Sequence, residues 1–274
     1  MSDSSVVLIF FTVLMLVGMS LILNQSRQRL RRNKQFLGLT WLKLMAQLIA
    51  QIQQHRGLTN GYLNGGVQLE NDIKPLVSHI NRTVLDIRNV DGWVVGNDRW
   101  ISFNDHWQRL SATYKEKSAD GNLREHNAII QGLLFLVDDT AQAHDLLLLG
   151  DKNVPLQLLW RDVLTTAEFI GQARAIGTGL AAQGVCDSVA RIRLNYLCQK
   201  ILTLTDIIWK ELSLDGSKKH TVNELVNCIQ ENIVKDKITM SPQEYFDIAS
   251  RAINSLHEQY GKKVDQHLQL IQSR

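Results

Sequence analysis

Residues 6–23, VVLIFFTVLMLVGMSLIL, run for 18 positions without one charged side chain. Wound as a helix at about 1.5 Å per residue, such a run is about 27 Å long, close to the roughly 30 Å hydrocarbon core of a bilayer. The first element is therefore expected to be a membrane-crossing helix. A cleaved signal peptide would begin with basic residues and end at a small-x-small site. This chain begins MSDSS and shows no such site after the run, so an uncleaved anchor is expected. The next stretch, NQSRQRLRRNKQ, holds Arg27, Arg29, Arg31, Arg32 and Lys34, and no basic residue precedes the run. Basic residues accumulate on the cytoplasmic side of single-pass proteins, which predicts a bacterial inner-membrane protein with its C-terminal bulk in the cytoplasm. The same cluster would gain about 1 kcal/mol per basic residue near anionic lipid, making membrane lipids an expected partner through residues 6–34.

Beyond residue 35 the chain carries only helical signals. Prolines number 3 in 274 residues, and apolar positions recur at helical spacing between short breaks rich in Gly, Asn and Asp. Those breaks lie near 64–66, 91–98, 119–122, 150–155, 181–184, 215–219 and 237–242. They delimit eight helices near 36–63, 68–90, 98–116, 122–149, 155–182, 186–212, 220–235 and 242–270. Short connections make neighbours antiparallel. The expected fold is all-α: a single N-terminal transmembrane helix, then an eight-helix up-and-down arrangement forming two packed four-helix bundles. The domain division is 1–35 for the anchor and basic segment, and 36–274 for the helical domain. Trp100 and Trp107, seven apart on one face, are expected in the core.

Composition removes several function classes. A formal net charge of +3 with scattered basic residues does not suit nucleic acid. Cys186, Cys198 and Cys228 lack the short spacing of a zinc site and are expected as free thiols. No HExxH, phosphate-cradling glycine loop or nucleophile elbow occurs, so no catalysis, metal or cofactor is expected. His55, His79, His106, His126 and His144 are expected on helix surfaces or as hydrogen-bonded core residues.

Two positions break the pattern. The stripe Leu42, Met45, Ile49, Ile52 leads to Arg56 before Thr59 and Leu63, and the stripe Leu156, Leu159, Val163, Ala167, Ile170 leads to Arg174 before Gly177 and Ala181. A guanidinium buried alone costs several kcal/mol, so each arginine needs an anion or a wet cavity. One source is a carboxylate on another helix, from among Asp86, Asp138, Asp139, Asp145 and Glu168. The other is a bound ligand. Glycine costs a helix roughly 1 kcal/mol against alanine, yet Gly57 and Gly61 follow Arg56, and Gly171 and Gly177 bracket Arg174. That placement favours room for a small flat oxyanion held by planar donors. The candidate ligand-binding residues are Arg56, Gly57, Arg174 and Gly177.

The stretches QIQQHRGLTNGYL, AEFIGQARAIGTG and MSPQEYFDIASRAINSL resemble, in order and spacing, the nitrate- and nitrite-sensing (NIT) domain over most of residues 36–270. Before the first arginine the family carries an acidic residue, where this chain has His55. The resemblance implies an all-helical double bundle that binds nitrate or nitrite and passes a helix movement onward. Few residues follow the last helix, so a signal is expected to leave through a signalling protein not identified by the sequence, or through the membrane helix, with a homodimer possible. The competing expectation is a structural or assembly protein, whose helical bundle docks onto a membrane complex and binds no ligand, with both arginines neutralised by protein carboxylates.

Overall fold

The computed structural model describes residues 3–149 and 156–273, with side chains from residue 10 onward. Among these residues there are eight α-helices and no strand. They are α1 (Asp3–Leu63), α2 (Glu70–Arg88), α3 (Asp98–Thr113), α4 (Ala119–Ala143), α5 (Leu164–Gln183), α6 (Ser188–Glu211), α7 (Lys219–Cys228) and α8 (Pro242–Gln272). A π-helical turn, Leu159–Val163, leads into α5, and another, Ile229–Ile233, leaves α7. The break expected at 150–155 lies outside the described residues.

The ends follow local chemistry. Asn97, Ser118, Asp187 and Ser241 place side-chain oxygens on the free N–H groups that open α3, α4, α6 and α8. Pro242 occupies the first turn of α8, where its missing N–H costs nothing. Gly184, at φ +77°, ends α5 in the left-handed conformation that a side chain disfavours.

The C-terminal half of α1 packs with α2 and α4, and α3 lies on α4; α5 packs with α6 and α8, and α7 with both of those. These are two four-helix bundles. Helix α1 joins them, because it also packs along α5 and α8. Trp100 and Trp107 are core residues, each 2% exposed.

At one junction the helix runs on past the expected boundary at residue 35. The anchor and the first bundle helix are not separate: α1 is one helix of 61 residues. The basic stretch between them contains neither Gly nor Pro, and its Gln, Arg, Leu and Lys are good helix formers, so no physical cause ends the helix there. Exposure divides it instead. The large apolar side chains from Phe10 to Leu23 are exposed, whereas Gln35 and then Leu39, Trp41 and Leu42 are buried. The exposed part is the one described segment long and apolar enough to cross a membrane.

Candidate functional site

The two stripe arginines meet where α1, α5 and α8 converge. Arg56 is 0% and Arg174 is 3% exposed, so neither charge reaches water. Arg56 faces Glu168 of α5 in a bidentate pair, Nη1 donating to Oε1 at 2.7 Å and Nη2 to Oε2 at 3.1 Å. Nη1 also donates to Asn127 of α4 at 2.6 Å. The carboxylate is completed by Gln53 Nε2 and Gln172 Nε2, each at 2.9 Å. Four N–H donors thus satisfy Glu168, and the pair is neutral as a unit.

Arg174 is placed differently. No carboxylate pairs with it among the described residues. Its guanidinium lies over the Phe246 ring at 4.8 Å, and Nη1 donates to Ser250 Oγ at 2.9 Å, both partners belonging to α8. Nε and Nη2 have no acceptor. Those two N–H groups leave the same edge of the guanidinium in parallel, which is the edge that grips two oxygens of one planar anion. Burial first, and the neighbouring Arg56 second, push Arg174 down to about 9, so it still carries its charge at neutral pH.

The glycines divide by role. A Cβ on Gly57 would lie 3.4 Å from Arg174 Nε and 2.8 Å from the Phe246 ring, and one on Gly171 would lie 2.6 Å from Arg56 Nη2. Both leave room beside a guanidinium. Gly177 instead faces the Tyr245 ring, which a Cβ there would overlap. It permits the close approach of α8 to α5, fixed by the Tyr245 hydroxyl donating to Ala173 O at 2.9 Å. Of the four expected ligand residues, Arg56, Gly57 and Arg174 come together, while Gly177 serves packing.

Beside this cluster, His55 and His126 form a buried pair with nitrogens 2.8 Å apart. His126 Nδ1 lies 2.8 Å from Asn122 O and must donate to it, so its Nε2 accepts from His55 Nδ1, and His55 Nε2 is left as an acceptor without a partner. Burial pushes His55 down to about 3 and His126 well below its usual value. Both are neutral. A cleft of about 260 Å³, lined among others by Asn60, Asn64, Gly179, Gln183 and Arg193, opens one helical turn beyond Arg56. Asn60 ties α1 to α5 there by donating to Ala175 O at 2.7 Å.

No family model and no curated protein matches the chain. Among solved structures it is similar to the NasR transcription antiterminator, with a TM-score of 0.68 at 14% identity over 94% of this chain and 74% of that one. At that identity the likeness is one of fold.

Sequence reasoning found both arginines but not their surroundings. Glu168 stood among five possible carboxylates, while Gln53, Asn127 and Gln172 carried no signal as charge partners. Phe246 and Ser250 lie within MSPQEYFDIASRAINSL, the last stretch of the resemblance, four residues apart and therefore on one face of α8.

Proposed function

We propose that this protein is a membrane-anchored sensor that binds a small monovalent oxyanion, nitrate or nitrite, between α1, α5 and α8, and signals through a partner protein. The observation that carries this reading is Arg174, a buried cation without a carboxylate whose Nε and Nη2 have no acceptor. An unpaired buried charge of this kind is costly, and an anion on that edge would relieve it. The resemblance of three stretches to the nitrate- and nitrite-sensing domain supplies the ligand, and the shared fold with an antiterminator, itself a regulator, agrees with a sensory role. Both guanidiniums are sealed, so a ligand reaches them only if α8 or α1 shifts, and binding and helix movement are then one event. The exposed apolar length of α1 would place the domain at a membrane, on the cytoplasmic side by its basic flank.

A nitrate titration of the full chain in nanodiscs, followed by thermal unfolding, tests this. A ligand that binds only the folded state at 100 times its Kd adds about 2.7 kcal/mol, which reads as a concentration-dependent rise in Tm. The rise should vanish in Arg174→Ala. A wild-type Tm that ignores nitrate and nitrite, or one that responds equally in the variant, ends the reading.

One observation favours the alternative, a ligand-free assembly protein: Arg56 is fully neutralised by Glu168. The same titration decides between them, since an assembly protein gains nothing from either anion.

A further inference from the structure

The ionisable groups around the two arginines sum to a small charge. Arg56 and Glu168 cancel, and Arg174 adds one positive charge. The other titratable side chains close to them are neutral: His55 and His126 because burial removes their protons, Tyr245 because burial retains its own, and His257 because burial, with Arg174 beside it, holds it down to about 4. Gln53, Asn127, Gln172 and Ser250 bring dipoles without charge.

We propose that Glu168 sets the charge of the anion this site accepts: by cancelling Arg56 it leaves one net positive charge, at Arg174, so that monovalent oxyanions are taken and dianions refused. This rests on Arg174 being the anion's donor. A nitrate-like ion brings the buried cluster to neutrality. Sulfate would leave it with one uncompensated negative charge out of reach of water, beside a carboxylate already in place. Shape alone does not separate the two so strongly, since either ion offers two oxygens to the Nε and Nη2 edge. The glutamate is thus a specificity residue that need not touch the ligand.

The experiment compares nitrate and sulfate by thermal shift on the full chain in nanodiscs at fixed ionic strength. Sulfate also stabilises folded proteins by exclusion from their surfaces, so each shift is taken relative to Arg174→Ala. Wild type should respond to nitrate and show no Arg174-dependent response to sulfate. Glu168→Gln raises the cluster to two positive charges, and its preference for nitrate over sulfate should fall roughly tenfold or more. Gln53→Lys adds the same charge while leaving the Arg56–Glu168 pair in place, and gives the same answer if the first variant does not fold. Arg56→Gln/Glu168→Gln returns the count to one, and should restore the preference. Sulfate binding to wild type as tightly as nitrate, or unchanged discrimination in both charge-raising variants, overturns the charge rule and leaves the nitrate site standing. Absence of any nitrate response in wild type overturns the site itself, and the rule with it.

Discussion

Arg56 and Arg174 are both buried, yet removing them should have opposite consequences for the ligand-free protein. Arg56→Ala strips Glu168 of its counter-charge and two of its four donors, which should cost about 3–5 kcal/mol in urea unfolding. Arg174→Met leaves no carboxylate stranded, loses one hydrogen bond to Ser250, and replaces a desolvated cation with an apolar chain of similar length. Its stability should lie within about 1 kcal/mol of wild type or above it. Equal losses in the two variants would mean that Arg174 has a protein counter-charge after all. The stripe register exposed these arginines to sequence reading because charge is conspicuous among apolar neighbours. The polar groups around them were illegible, since Gln53, which donates to Glu168, and Asn127, which accepts from Arg56, are common surface residues until the fold turns them inward. The pair His55 and His126 was hidden for the same reason, being 71 residues apart in the chain. It carries its own prediction. An unfolded histidine binds a proton near pH 6.5 while His55 does so only near 3, so this stabilisation is complete above about pH 6.5 and fades as the pH falls toward 3. The loss should approach about 1.4 kcal/mol per pH unit for each buried histidine. Urea unfolding at pH 7.5 and 5.0 should show a steeper drop in wild type than in His55→Gln.

The pairing of α5 with α8 depends on what a glycine omits. In an ordinary helix Gly→Ala gains roughly 1 kcal/mol, but at Gly177 the added methyl meets the Tyr245 ring, whose hydroxyl is already held by Ala173. Overpacking of this kind should outweigh the propensity gain, with a net loss of about 1–3 kcal/mol measured by thermal or urea unfolding. A more stable Gly177→Ala would mean that α8 stands further from α5 than described. Helix number and order were legible because eight amphipathic segments are separated by Gly, Asn and Asp. The continuity of α1 was not, because a change from apolar to basic composition looks like a boundary although nothing in it interrupts backbone hydrogen bonding. The π-helical turns at Leu159–Val163 and Ile229–Ile233 have no composition signature, and the reading at the start of α5 and the end of α7 was correspondingly plain helix.

At the scale of the whole molecule, burial begins at Gln35 and the side chains that hold α1 in both bundles lie beyond it. A chain starting at residue 36 keeps Leu39, Trp41, Leu42 and the rest of the core, so it should fold, stay soluble and give strong helical circular dichroism. An aggregated or non-helical product would show that the exposed half of α1 contributes to folding. The full chain should carry its C-terminus in the cytoplasm, where a fused fluorescent protein glows and a fused alkaline phosphatase stays inactive; the reverse pattern would refute that orientation. At about 1.5 Å per residue, the 61 residues of α1 make a shaft of about 90 Å, with Arg56 near one end and the apolar run near the other. No turn or bend interrupts the helix between Phe11 and Arg56. A tilt of about 1° at the arginine would move Phe11, 45 residues away and so about 68 Å along the axis, by about 1 Å. A rotation about the axis would change which side chains face a neighbour in the bilayer. Any amplification of such a movement would lie in the length of the element. Two glycines inserted between Gln28 and Arg29 should leave the nitrate-induced rise in Tm intact, while abolishing any nitrate-induced change at a spin label on residue 11.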